Sequence, residues 1–162
     1  MMQLRLVRVG AAAALGLVLS ACGPSAGGSG VPVSGQASQN GVTVATTSTS
    51  LGTFLVGPDG KSLYLFEADT SSQSTCSGAC AQGWPPLTTS GSPVAGSGVT
   101  QSLLSTSQRD DGTTQVVYNG HPLYYFAGDS KAGDTNGEGS TAFGAGWDVV
   151  SPAGTKIEKA GS

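Results

Sequence analysis

Charge is scarce in this chain: Lys, Arg, Asp and Glu together supply 10% of its 162 residues. Long surface helices need such residues for their solvated faces, so the shortage disfavours them and favours short strands joined by turns. Imidazole is scarcer still. His121 is the only histidine, and no Ser or Cys nucleophile stands in a motif linked to it, so the usual catalytic dyads and triads have no starting point. Basic residues are few and scattered. Lys61, Arg109, Lys131, Lys156 and Lys159 form no cluster, which excludes nucleic acid as a partner and offers no patch for an anionic lipid surface. Helix-length hydrophobic runs are missing too, since the N-terminal run Val9–Leu19 has 11 uncharged residues, too few to cross a bilayer.

That run is informative for another reason. Arg5 and Arg8 precede it and Leu19-Ser20-Ala21-Cys22 closes it, the pattern of a bacterial lipoprotein signal in which small residues lead to an acylated Cys. Residues 1–21 are therefore expected to be a signal peptide and Cys22 a lipidated N-terminus. Two or three acyl chains hold a protein to a membrane far more firmly than one. Cleavage removes two of the seven basic residues and none of the ten acidic ones, leaving a net charge of −5. Residues 22–41 are rich in Gly, Ser, Ala, Pro and Gln and read as a flexible tether, with a span of roughly 20–25 Å for about 18 residues. The folded part is expected over 42–162.

Within it the chain repeats itself. Gly60-Lys61-Ser62-Leu63-Tyr64-Leu65-Phe66-Glu67-Ala68-Asp69 returns sixty residues later as Gly120-His121-Pro122-Leu123-Tyr124-Tyr125-Phe126-Ala127-Gly128-Asp129. Asp59-Gly60 and Asn119-Gly120 are turn dipeptides between apolar arms, so each copy is expected to be a β-hairpin. Val42–Thr46 alternates as a strand; Leu103–Leu104, Thr114–Tyr118 and Trp147–Val150 add others, and two consecutive hairpins make the second copy a meander. Leu63 and Leu65 face one side and Tyr64 and Phe66 the other, a central strand with apolar bulk on both faces. Residues 88–101 read as a loop joining unit one, about 42–87, to unit two, about 103–157, and no helix is expected. The fold class is all-β, one small domain of two tandem hairpin units.

Several groups are candidates for chemistry. Cys76 and Cys80, an even pair once Cys22 is spent on lipid, are expected to form a disulfide that shapes the Trp84-Pro85-Pro86 corner; a thiolate metal or redox site is the alternative. Asp69 and Asp129 end their hairpin arms, where a side chain can accept the N–H groups the strand leaves free. Asp129, Asp134, Asn136 and Glu138 bring oxygen ligands together like the opening of a calcium loop, yet Ala145 stands where the bidentate Glu belongs, so no metal or other cofactor is assigned. His121 is expected to be an exposed turn residue, and Tyr64, Tyr124, Tyr125, Phe66, Phe126, Trp84 and Trp147 mostly core.

Tyr64, Phe66, Asp69 and Tyr124, Phe126, Asp129 fit a Tyr-x-[Phe/Trp/Tyr]-x-x-Asp pattern. With the Cys-x-x-x-Cys and Trp-Pro-Pro segment of unit one and the Asn-Gly-His-Pro-Leu-Tyr-Tyr-Phe and Trp-x-Val-Val segments of unit two, the chain resembles the tandem lipoproteins called secreted repeats of unknown function. The resemblance implies a secreted, lipid-anchored tandem repeat and no particular reaction. The expectation is a non-enzymatic binding or scaffold module on the outer face of a bacterial membrane. It would meet an envelope protein, a glycan or a small ligand. The alternative is metal or redox handling by Cys76/Cys80 or the acidic loop 129–138.

Overall fold

Tight turns set the layout. The computed structural model describes residues 41–158; the expected signal peptide, Cys22 and tether lie outside the described residues. β1 (Thr43–Thr49) and β2 (Gly52–Val56) form an antiparallel hairpin with Ala45 opposite Val56 and Thr49 opposite Gly52. β2 then enters the repeat motif. Pro58 and Asp59 occupy the centre of the next turn, closed by Gly60 N–H to Gly57 O at 2.9 Å, and Gly60 takes the left-handed conformation at φ 75°. Asp59-Gly60 is thus not the two-residue turn expected from sequence: the loop is a three-residue one ending in a bulged glycine. In unit two, Asn119 and Gly120 do take the positive φ pair, 48° and 86°, that a two-residue turn demands.

The remaining elements are β3 (Tyr64–Phe66), one turn of α-helix, α1 (Ala79–Gly83), β4 (Val94–Ala95), β5 (Leu104–Gln108), β6 (Thr114–Tyr118), β7 (His121–Pro122) and β8 (Trp147–Val149), with short 3-10 turns at Gln101–Leu103 and Ala142–Gly144. They build three small sheets, β2-β1-β4, β3-β8 and β5-β6-β7. The last is the expected meander. Residues 88–101 are not wholly loop, because β4 pairs in parallel with β1, Thr43 against Val94 and Val44 against Ala95. Gly96 permits this approach: a Cβ there would lie 3.0 Å from the Val44 carbonyl oxygen. α1 also departs from the all-strand expectation, one turn wound where the Cys76–Cys80 link draws the chain together.

The two units do not sit side by side; each completes the other. β3 of unit one pairs with β8 of unit two, Tyr64 opposite Val149 and Phe66 opposite Trp147. On its other edge Tyr64 N–H donates to Tyr124 O at 2.8 Å, and Tyr124 N–H returns the bond to Tyr64 O at 3.0 Å. The reverse exchange is equivalent: Leu87 N–H binds Leu123 O, Tyr125 N–H binds Pro85 O and Ala127 N–H binds Gly83 O, matching Val150 to Leu63 and Glu67 to Gly146. So the Trp84-Pro85-Pro86-Leu87 segment serves unit two as β8 serves unit one. Its prolines are tolerated because here it contributes carbonyl oxygens of Gly83 and Pro85, which proline does not remove.

Alternation divides the core in two. Tyr64 and Phe66 join Phe54, Trp84, Tyr124, Trp147, Val149 and the disulfide on one face. Leu63 and Leu65 join Val44, Leu55, Leu87, Val116, Tyr118, Leu123 and Val150 on the other. Each such side chain, fully buried, stabilises by about 1.5–3 kcal/mol.

Candidate functional site

The repeat motif is where the two units lock. Tyr64 is fully buried on β3, and its hydroxyl donates to Asp129 Oδ2 at 2.7 Å; Tyr124 is equally buried and donates to Asp69 Oδ2 at 2.5 Å. The tyrosine of each copy therefore reaches the aspartate of the other. Each carboxylate uses its second oxygen on its own following loop. Asp69 Oδ1 accepts the Thr75 N–H at 2.7 Å and the Thr75 hydroxyl at 2.6 Å, and Asp129 Oδ1 accepts the Asn136 N–H at 2.9 Å. Both aspartates thus accept backbone donors near the end of their arms, and both also carry a buried link between copies that the linear spacing does not reveal. Burial raises the pKa of Tyr64 and Tyr124 well above the ordinary phenol range, with the neighbouring carboxylates adding to the shift. Desolvation likewise raises Asp129, against the lowering effect of its bonds to Tyr64 and Asn136.

Aromatic rings fill the space between the locks. Trp84 and Trp147 stack with centroids 4.0 Å apart and planes 7° from parallel; Phe66 lies on the outer face of Trp147 at 4.1 Å and Phe126 on Trp84 at 4.4 Å. Tyr64 meets Trp84 edge-on and Tyr124 meets Trp147 edge-on, both at 5.2 Å. Each phenylalanine packs on the tryptophan of the other copy. The column follows the same approximate two-fold relation as the strands. Trp147 Nε1 donates to Ala142 O at 2.8 Å, satisfying its one polar group.

Cys76 and Cys80 are joined, with Cα atoms 5.2 Å apart, and the bridge packs into the aromatic cluster. Beside it Arg109 is buried, which its position before an Asp-Asp-Gly turn does not announce. Its guanidinium donates to Cys76 O at 2.7 Å, Ser74 Oγ at 2.7 Å and Gln115 Oε1 at 2.7 Å, and pairs with Asp111 at 3.3 Å. Thr75 and Asn136, which follow their aspartates by six and seven residues, are partners that the linear spacing does not announce either.

The acidic loop is occupied by its own backbone. Asp134 Oδ2 accepts the N–H groups of Ser130 and Lys131 at 3.0 and 2.9 Å, which keeps its carboxyl below the ordinary value, and Glu138 Oε2 accepts the Val149 N–H at 2.8 Å. The Asn136 side chain donates to Gly128 O at 3.3 Å. Among the described residues no group of three or more His, Cys, Asp or Glu is placed to hold a metal ion. His121 is half-buried on β7, not exposed as expected, and lines a cleft of about 360 Å³ with Leu65, Glu67, Asp69, Thr155 and Lys156. A larger groove, about 610 Å³, runs along β5 and the 90–93 segment, lined by Ser90, Ser92, Gln101, Ser105, Thr106 and Thr114 with no charged side chain.

These contacts define an all-β tandem-repeat protein in which the motif residues tie two copies into one folded unit. The model of the family described as secreted repeat of unknown function matches residues 45–88 and 105–151, more than half of the chain, and the chain belongs to that family. The family is one of secreted proteins, an extracytoplasmic setting that agrees with a closed disulfide. No curated protein and no solved structure matches it.

Proposed function

We propose that this is a lipid-anchored bacterial envelope protein, held to the outer face of the membrane through Cys22, and that it works as a non-catalytic binding module. The observation that carries the binding role is the division of labour between core and surface. Tyr64, Tyr124, Asp69 and Asp129 are spent on the interior, while the groove of about 610 Å³ along β5 presents mostly hydroxyl and amide groups and no ionisable one. Such a lining suits a neutral, hydroxyl-rich ligand, and a glycan of the envelope fits it best. Metal or redox handling by Cys76/Cys80 or loop 129–138 ranks second, because the thiols are joined and the loop carboxylates already accept backbone N–H groups.

Two experiments test the parts separately. Cys22→Ala should abolish labelling by a clickable fatty acid, and full labelling of the variant would remove the anchor. Thr106→Trp, which fills the groove, should abolish retention of the protein on purified envelope glycan at unchanged melting temperature. Equal retention of both proteins would remove the groove as the binding site.

A further inference from the structure

We propose that the crossed tyrosine–aspartate pairs and the stacked Trp84–Trp147 pair form a one-electron store, in which an oxidising equivalent taken up by the stack comes to rest on Tyr64 or Tyr124 as a neutral radical while the phenol proton moves to Asp129 or Asp69. This activity is independent of the groove.

The geometry supplies each requirement. A tyrosine loses an electron readily only if its proton has somewhere to go, and both motif tyrosines already donate to a carboxylate oxygen at 2.7 and 2.5 Å. The other tyrosines differ: the Tyr118 hydroxyl donates to the Pro152 carbonyl, which is not a base at neutral pH, and Tyr125 has no hydroxyl bond to a carboxylate. Rings in contact connect the sites, from Tyr64 to Trp84 at 5.2 Å, Trp84 to Trp147 at 4.0 Å and Trp147 to Tyr124 at 5.2 Å. Sulfur does not compete. Residues 41–158 contain no methionine, and their two cysteines are already oxidised to a disulfide. Packing alone does not account for the arrangement, because replacing buried polar pairs by apolar groups of similar volume is often neutral or stabilising. Here two phenol–carboxylate pairs are kept beside an apolar aromatic column.

The steps balance. An outer-sphere one-electron oxidant, such as an oxygen-centred radical or a high-valent metal complex, takes one electron from the tryptophan stack and leaves a tryptophan radical cation. Tyr64 then passes an electron to that cation and its proton to Asp129, so the cation and the carboxylate are both neutralised and a tyrosyl radical faces a carboxylic acid. An external one-electron reductant returns the electron, and the proton goes back to the phenolate oxygen.

Flash-quench oxidation of the purified full chain with tris(bipyridine)ruthenium(III), read by transient absorption and freeze-quench electron paramagnetic resonance, tests this. The wild type should show a tryptophan radical decaying into a tyrosyl radical, and that decay should slow in deuterium oxide. Tyr64→Phe/Tyr124→Phe should leave the tryptophan radical and abolish the tyrosyl signal. Asp69→Asn/Asp129→Asn, which removes the proton acceptor, should slow tyrosyl formation by about tenfold or more. A tyrosyl signal of wild-type size in the double Phe variant, or a wild-type decay indifferent to deuterium, overturns the proposal. If the Asn variant fails to fold, those two readouts still decide.

Discussion

Removing one lock should reveal how strongly the copies depend on each other. Asp129→Ala strands two donors at once, the buried Tyr64 phenol at 2.7 Å and the Asn136 N–H at 2.9 Å. A buried donor left unmade costs about 1–3 kcal/mol, and the exposed Asn136 recovers some of that from water, so the loss should be about 3 kcal/mol. In a domain of this size 1 kcal/mol corresponds to roughly 3–6 °C, so the melting temperature should fall by about 10–15 °C. Tyr64→Phe removes the same bond from the other side and should cost about 2 kcal/mol, since Asp129 keeps its Asn136 donor. Urea unfolding of the wild type, the single variants and the double variant closes a cycle whose coupling should be about 1–2 kcal/mol. The pair Tyr124/Asp69 should give a like value. The tyrosine and aspartate of one copy, Tyr64 and Asp69, should couple by less than about 0.5 kcal/mol. A strong coupling within one copy together with additivity across copies would refute the crossed arrangement.

Three further outcomes follow from other parts of the molecule. Non-reduced peptide mass spectrometry should find Cys76 joined to Cys80; Cys76→Ser/Cys80→Ser should lower stability by about 2 kcal/mol, the chain entropy of so short a loop, and a change below about 0.5 kcal/mol would contradict that. Asp148 is 8% exposed, and burial, then the nearby Glu67, raises its pKa above the unfolded value of 3.8. Its protonated form is the one the fold favours, so its contribution is present below 3.8 and is lost as pH rises through the folded value. Asp148→Asn should therefore raise the melting temperature at pH 7 and leave it unchanged at pH 3; a loss at pH 7 would overturn the assignment. The parallel Trp84–Trp147 pair should give a paired positive and negative circular-dichroism band from coupled indoles, and Trp84→Phe should abolish the pair while retaining the strands.

Much of the architecture is legible along the chain because it is local. Turn chemistry at Gly57–Gly60 and Asn119–Gly120, the period-two alternation of Leu63–Phe66, and the spacing of Cys76 and Cys80 act over a few residues, and they mark the hairpins, the two-faced strand and the disulfide. The repeat itself is pure sequence. What pairs with what is different, because strand edges are alike to any partner and only packing chooses among them. β3 could have paired within its own copy; it pairs with β8 because that places Phe66 on Trp147 and brings Trp147 against Trp84. The same choice sends Tyr64 to Asp129 rather than to Asp69 of its own copy, which lies past the turn at Glu67 and Ala68 that ends β3. Arg109 is buried for a like reason, since the carbonyl of Cys76 and the side chains of Ser74 and Gln115 converge only when the copies close on each other. Local propensity determined the two hairpins, and long-range burial decided that neither copy is complete without the other.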